Sequence, residues 1–447
     1  MKNMGIKIFE IKKLFYQFDV KLPLDEKINI FLGENGMGKT TILNCLHCVL
    51  SGNIEKLNSI VFDEIVITLT DNNTLCIKHC DISAYVDEYL YDTPRRRRIN
   101  LDIIFSKKEL EEIRDIVAHN YDDIDIYKKY CFRISETYGV PFSIARRELE
   151  RYAMRYSSHD GDFKKALSFK KKVGEIFDKE ILYFPTYRRI EEDMSKLGID
   201  AEKDRVKDRL IQFGMTDVEK AIEKILSTIR SAAITGFTEM TGVLLKQYLG
   251  GELYTDNLYY IDSDKLTIAL DRIGDKIESY DKERIKALVA NSKIYEPENI
   301  YLLNLIKNLI ISYEKQNQYD ERVKKFVSVC NGYLNGKKYI YDESNVQLAI
   351  CREKTNTPIS VQNLSSGEKQ VISIFSKLYI EETEDCIILF DEPELSLSIT
   401  WQAKFLPDIM DSKKCSTLIA VTHSPFIFEN EFDALAKDMG ECILENN

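Results

Sequence analysis

No stretch of this chain reaches the roughly 18 consecutive apolar residues of a membrane span, which excludes a complete membrane transporter. The start, Met1-Lys2-Asn3-Met4-Gly5, runs straight into an alternating pattern without the apolar core of a signal peptide, so a soluble, cytoplasmic protein is expected. Internal repeats and low-complexity tracts are absent. No heptad is sustained over the three or four repeats a coiled coil shows, and no long coiled coils flank a Cys-x-x-Cys hook, which argues against a chromosome-organising protein. A disulfide framework is also missing: the 10 cysteines are scattered, as suits a reducing compartment. Cys45, His47 and Cys48, with Cys76, His79 and Cys80 downstream, would have to converge to hold zinc. Cys45 and Cys48 fall on one expected helix, so buried thiols are the reading and no zinc is expected. Positive charge is in the minority, 62 Lys and Arg against 73 Asp and Glu, for a net charge of −11. That excludes a surface basic throughout, though not local basic patches.

What is present begins with size. At 447 residues, 44% hydrophobic and 30% charged, the chain can build more than one core. Ile6 to Ile11, Phe15 to Val20 and Ile28 to Leu32 alternate as strands do, and Thr41 to Leu50 follows as a helix. Ile65 to Thr70 and Thr74 to Lys78 read as a hairpin turned by Asp71-Asn72-Asn73. Ile181 to Phe184 is a further apolar run, stopped by Pro185. From about 90 to 330 the pattern is mainly helical: Val218, Ile222, Ile225, Ile229, Ala232 and Ala233 recur at helical spacing, as do Leu302, Leu305, Ile306, Leu309 and Ile310. Strand patterns return at Lys338 to Tyr341 and Val346 to Cys351, and a short terminal run covers Cys442 to Leu444. The expected class is α/β, a mixed sheet with flanking helices, split by a helical insertion with at most a short arm. Residues 1–90 and 338–447 form the two parts of this head, 91–180 is a helical segment, 181–200 returns to the head, and 201–337 is the insertion.

Four motifs carry chemistry. Gly33-x-x-x-x-Gly38-Lys39-Thr40 stands between a strand and a helix, as a phosphate loop does. Its glycines, Gly36 and Gly38 with Asn35 between the turns, let backbone N–H groups point into one concavity. Lys39 brings positive charge to the β- and γ-phosphates, Thr40 can ligate Mg2+, and Thr41 is placed for the α-phosphate. Leu364-Ser365-Ser366-Gly367-Glu368 has the spacing of a capping box at a helix start. Capping alone explains Ser365 and Glu368; a helix N-terminus with a bare glycine and a serine hydroxyl also binds phosphate. In one chain this site would not easily reach its own Lys39, so it is expected to serve a partner's ATP. Ile387 to Phe390 is a buried strand pattern ending in Asp391, expected to hold the metal, and Glu392, expected to polarise the attacking water. A second apolar strand, Thr417 to Val421, leads to His423, where a γ-phosphate sensor belongs.

Together these motifs resemble the ABC-type P-loop NTPase heads of the structural-maintenance-of-chromosomes, RecF and overcoming-lysogenization-defect (OLD) groups. The resemblance implies two heads sandwiching two ATP molecules between phosphate loop and signature. Pro393 to Gln402 resembles the segment after the acids in stand-alone OLD-like ATPases, with Ser398 where a histidine is often found. Tyr183-Phe184-Pro185-Thr186-Tyr187-Arg188-Arg189-Ile190-Glu191 is similar to the same group. No glutamine occurs between Lys39 and Gln212, so the metal-touching glutamine of transporter-type heads is missing and the Thr186 to Glu191 segment is its candidate replacement. Only about 24 residues follow His423, so any nuclease is expected to be a separate polypeptide. In length and motif spacing the chain resembles AriA-type ATPases of the PARIS anti-phage system. That resemblance implies a homo-oligomeric, hexamer-like scaffold that holds an AriB-like nuclease and releases it on sensing a phage-encoded trigger protein that mimics DNA in charge. Two alternatives stay open: a Septu PtuA-like ATPase paired with an HNH nuclease, and a RecF-like DNA repair ATPase. Direct DNA binding is undecided. Arg95 to Arg98 reads first as a solvated loop rather than a binding patch, whereas Arg147, Arg151 and Arg155, with Arg146 beside them, fall on one helix face suited to an anionic partner or to an interdomain salt-bridge surface.

Overall fold

The computed structural model describes residues 5–91, 101–118, 124–142, 145–146, 149, 160–185, 215–250, 260–381 and 383–445. In chain order, strands β1 (Ile6–Leu14), β2 (Phe18–Pro23) and β3 (Ile28–Leu32) lead into helix α1 (Lys39–Leu50), and β4 (Glu64–Leu69) and β5 (Thr74–Lys78) follow. Helices α2 (His79–Tyr91), α3 (Leu101–Ile104), α4 (Lys107–Ala118), α5 (Ile124–Tyr138) and α6 (Asp160–Ile176) precede β6 (Ile181–Phe184). Then come α7 (Met215–Gly250), α8 (Ser263–Arg272), α9 (Ser279–Ala290) and α10 (Ile300–Asn331). Strands β7 (Lys337–Asp342), β8 (Gln347–Arg352) and β9 (Pro358–Ile359), helix α11 (Ser366–Phe375), β10 (Cys386–Asp391), α12 (Ile399–Asp411), β11 (Cys415–Thr422), β12 (Ala436–Asp438) and β13 (Ile443–Glu445) complete the order. The chain divides into two compact units: residues 1–181, 417–423 and 435–447 in one, 182–416 and 424–434 in the other.

In the first unit an antiparallel sheet runs β13-β2-β1-β4-β5. Phe9, Ile11, Val20, Leu22, Ile65 and Ile67 are buried along it, and the β4–β5 hairpin pairs Ile67 with Leu75. β3 lies parallel to both β11 and β12, with Phe31 opposite Val421 and Lys437. Parallel strands covered on both faces read as continuous apolar runs, as Ile30 and Phe31 in β3 and Leu418 to Val421 in β11 do, all fully buried. α1 buries Ile42, Leu43, Leu46 and Val49 together with Cys45 and Cys48. α3, α4 and α5 gather a core of their own around Ile113, Cys131 and Ile134, and α2 meets α6 where Tyr85 stacks on Phe163 at 5.7 Å. One sequence boundary is corrected: Phe15 and Tyr16 do not belong to β2. They form the β1–β2 turn with left-handed φ of 55° and 62°, and β2 starts at Phe18.

In the second unit β10 is buried at every position and lies beside β6, with Phe184 stacked on Phe390 at 4.9 Å. α7 and α10 are 36 and 32 residues long, about 50 Å each at 1.5 Å per residue. This pair is longer than its apolar spacing indicated. They approach closely at Gly236, where a Cβ would lie 2.2 Å from the Ser312 hydroxyl. α10 hands the chain to the antiparallel sheet β7-β8-β9. α11 and α12 share an aromatic core of Tyr333, Phe375 and Phe405. The mixed sheets with flanking helices and the β3–loop–α1 unit make this an α/β fold with a strand–glycine loop–helix start of the P-loop kind. Among the described residues no helix is long and apolar enough to cross a membrane, and no three His, Cys, Asp or Glu side chains gather as a metal-holding group.

Candidate functional site

The phosphate loop is built where β3 ends. Gly33 N–H donates to the Thr422 carbonyl at 3.1 Å, so the loop leaves the sheet level with the end of β11. Gly36 and Gly38 take φ of 92° and 77°, a region that costs a Cβ-bearing residue about 1–2 kcal/mol. Gly38 is the N-cap of α1, and no side chain caps that helix. Its amide end is therefore directed at a ligand rather than at the protein's own hydroxyls. Lys39 is buried and folds back, its Nζ donating to the carbonyls of Gly33 at 2.7 Å and Glu34 at 3.4 Å. A cation is thus held inside the loop's own concavity. Asn35 and Gly36 are exposed at the loop's crest, and Thr40 and Thr41 are half-buried in the first turn. His423, exposed, follows Thr422 directly, one residue beyond the partner of Gly33. The first unit thus brings the loop and His423 to one sheet edge.

An aromatic that the alternating pattern concealed joins them. A Cβ on Gly38 would meet the Phe15 ring at 3.8 Å, and Phe15 and Tyr16 are 42% and 78% exposed. Phe15 thus leaves a partly exposed aromatic ring beside the phosphate loop. The signal in the sequence was the pair itself, Phe15-Tyr16, in a segment otherwise read as strand.

The second unit holds the acids and the signature in one packed piece. Asp391 ends β10 and is 2% exposed. Glu392 has a φ of 53°, a left-handed conformation that a glutamate adopts at a cost of order 1–3 kcal/mol and that clusters at functional sites. The turn continues through hydrogen bonds from Leu395 N to Glu392 O at 3.2 Å and from Leu397 N to Glu394 O at 3.0 Å. Ser396 is left-handed as well, at 70°, and its carbonyl would lie 2.2 Å from a Cβ on Gly367. The signature glycine is therefore what lets α11 sit on the turn that follows Glu392. Gln370 Nε2 donates to Pro393 O at 3.3 Å, a second tie between the same two segments.

Ser365 caps α11 with the reciprocal pattern read from its spacing: Glu368 N–H donates to Ser365 Oγ at 3.3 Å, and Ser365 N–H to Glu368 Oε2 at 2.8 Å. The Ser365 hydroxyl also donates to Glu368 Oε2, at 3.0 Å. Burial alone would raise the Glu368 pKa, but hydrogen bonds from Lys337 and from the Ser365 amide and hydroxyl outweigh it and hold the group below the ordinary value. Glu368 is consequently a buried anion at neutral pH.

The donor sets fit the groups the motifs call for. An uncapped helix N-terminus over two left-handed glycines with a buried lysine suits a polyphosphate. Thr40 in the first unit and Asp391 in the second each carry an oxygen of the hard kind that Mg2+ takes. Thr186 to Glu191, Arg95 to Arg98, Arg147, Arg151 and Arg155 lie outside the described residues; Arg146 is exposed and its carbonyl accepts from Tyr127 OH at 3.2 Å. The cysteines singled out earlier are split: Cys45 and Cys48 are buried while Cys76 and Cys80 are exposed, and burial pushes the Cys45 thiol well up.

A retron Ec83 probable ATPase of Escherichia coli is 26% identical over 180 residues, 37% of this chain and 33% of that protein. The phosphate import ATP-binding protein PstB of Prochlorococcus marinus (strain NATL2A) is 26% identical over 167 residues, 35% of this chain and 58% of the relative. The chain thus spans about a third and three fifths of these two curated relatives. Among solved structures, an Smc head bound to the C-winged helix domain of ScpA aligns over 97% of this chain and 92% of its own, at 12% identity and a TM-score of 0.34. An Smc head from Pyrococcus furiosus with an extended coiled coil aligns over 99% and 96%, at 14% and 0.35. The family profile of the AAA ATPase domain matches residues 4–428, nearly the whole length, and the chain belongs to that family.

Proposed function

We propose that this chain binds ATP with Mg2+, hydrolyses it as a pair of protomers, and serves as the sensor and scaffold of a bacterial anti-phage system, holding a separate nuclease until a phage protein is met. The observation that carries the ATPase reading is the uncapped N-terminus of α1 with Lys39 folded over Gly33. Gly36, Gly38 and the first-turn amides orient the phosphates, and Lys39 exchanges its loop carbonyls for them. Phe15 and Tyr16 offer the base a face to lie on. Thr40 and Asp391 would hold Mg2+, which supplies charge neutralisation for phosphoryl transfer. Glu392 orients and deprotonates water from a left-handed backbone position just past the buried strand that carries Asp391. His423 reads the γ-phosphate. Ser365 and Gly367 present the α11 N-terminus to the partner's nucleotide.

The defence role rests on the likeness to a retron ATPase together with the AriA-like motif spacing. The full chain, tagged and recovered from its native operon with and without ATP, tests it. A stoichiometric nuclease of AriB type, retained in an ATP-dependent way, is the expected result. An HNH nuclease in its place would favour the PtuA-like reading. Recovery of the chain alone, with tight duplex binding that falls steeply with salt, would favour a RecF-like repair ATPase.

A further inference from the structure

Lys337 is the first residue of β7, and its position is fixed from both sides. Asn331 near the end of α10 exchanges hydrogen bonds with the Tyr339 backbone, at 2.7 and 3.0 Å, and Gly336 turns the chain into the strand with a φ of 65°. From there Lys337 Nζ reaches both oxygens of Glu368, at 2.9 and 2.7 Å. The pair is largely shielded, with side chains 25% and 4% exposed. Glu368 is also the acceptor of the Ser365 hydroxyl.

This creates a competition. A phosphate approaching the α11 N-terminus needs the Ser365 hydroxyl as a donor, and that donor is already given to Glu368. It would also approach a buried carboxylate of its own sign, three residues from the N-cap. An ammonium bonded to both carboxylate oxygens weakens both obstacles, because it offsets the charge and shares the lone pairs that Ser365 uses.

We infer that Lys337 is a positioning residue for ATP-driven pairing: by neutralising Glu368 it frees the Ser365 hydroxyl and the α11 amides for a phosphate. The inference rests on the reading of Ser365 as a phosphate ligand. Because Lys337 stands where α10 passes into β7, it ties the end of the long helix pair to the signature, and displacing α10 would change how Ser365 is presented.

Three variants test it in the full chain: Lys337→Met, Lys337→Arg and the pair Lys337→Met with Glu368→Gln. Affinity for a fluorescent ATP analogue under conditions where the chain is monomeric, ATP-dependent self-association by sedimentation, and the split between kcat and KM are measured for each. Lys337→Met is expected to leave nucleotide affinity unchanged while weakening ATP-dependent association and kcat roughly tenfold or more, the range for an unpaired buried charge. Lys337→Arg is expected to stay near wild type, and the double variant, which removes both charges together, to recover most of the loss. Wild-type association and kcat in Lys337→Met would overturn the inference. So would a double variant that folds and binds nucleotide yet does not associate, which also decides the matter if Lys337→Met alone fails to fold. A wild-type chain that binds ATP but never associates would instead sink the paired-ATPase reading beneath it.

Discussion

Phe15 shows how much a single backbone turn decides. Left-handed φ at Phe15 and Tyr16 turns the chain after Leu14 and leaves both rings exposed, Phe15 beside Gly38, instead of burying them in the sheet. If the base lies on this pair, Phe15→Ala should weaken ATP binding by roughly 1–3 kcal/mol, the usual loss for a stacked base, and leave binding of inorganic tripolyphosphate unchanged. Calorimetry with both ligands checks this, and equal losses for the two would place Phe15 in loop support instead. Glu368 makes a separate prediction. Its folded pKa is depressed, so its contribution to stability is complete above the ordinary glutamate value of 4.5 and is lost as pH falls through the lower folded value. Below that point the carboxyl is protonated with or without Lys337. The stability gap between wild type and Lys337→Met, measured by urea unfolding, should therefore be widest near neutrality and close as pH falls through the depressed folded value.

At the scale of elements, the second unit is organised around an ion pair that no spacing announced. Arg272 at the end of α8 donates to Asp320 of α10 at 2.6 Å, with side chains 5% and 0% exposed. Tyr341 of β7 donates to the same carboxylate, and Arg272 Nε donates to the Glu343 carbonyl at 3.1 Å. Three elements distant in sequence meet on this one pair. Arg272→Met should cost about 3–5 kcal/mol, since it strands a buried carboxylate, and adding Asp320→Asn should return part of that. A chemical-denaturation series on the three variants reads it directly; a loss below about 1 kcal/mol would mean that water or Tyr341 satisfies Asp320 unaided. The contrast with the strands is instructive. Ile181–Phe184 was legible to the residue because a strand buried on both faces is an unbroken apolar run, and Ile28–Leu32 because Ile28, Ile30 and Leu32 alternate as strand residues do. Ser365 and Glu368 were legible because a capping box is local. The Arg272–Asp320 pair, the Lys337–Glu368 contact and the close fit of Gly367 to Ser396 were not, since each joins segments tens of residues apart. α7 was read only through its first half for a related reason. Beyond Ala233 the buried Met240 and Leu244 stand among the exposed Ile234, Phe237, Leu245 and Leu249, so the apolar period that marks a helix is blurred.

For the whole molecule, the division of labour between the two units sets the decisive test. Lys39 and Asp391 are separated by the full helical middle of the chain, and the signature that follows that middle is read as serving another protomer's nucleotide. If so, hydrolysis depends on pairing, and two different defects should complement each other. Lys39→Ala removes the cation of the phosphate loop but leaves Ser365; Ser365→Arg blocks the signature but leaves the loop. Each chain alone should be nearly inactive. Mixed in equal amounts with ATP, they should recover about a quarter of the wild-type rate, because half of random two-fold pairs are mixed and each mixed pair rebuilds one of two sites. Glu392→Gln, which keeps every phosphate contact but loses the base, should bind ATP normally, hydrolyse it about a hundredfold more slowly or worse, and accumulate as the ATP-bound pair on a sizing column. A mixture no more active than its components would mean that loop and signature act within one chain. Hydrolysis by Glu392→Gln at the wild-type rate would move the base to another residue. Recovery in the mixture together with trapping of Glu392→Gln would establish ATP as the link between protomers, and so define the state in which a nuclease partner should be sought.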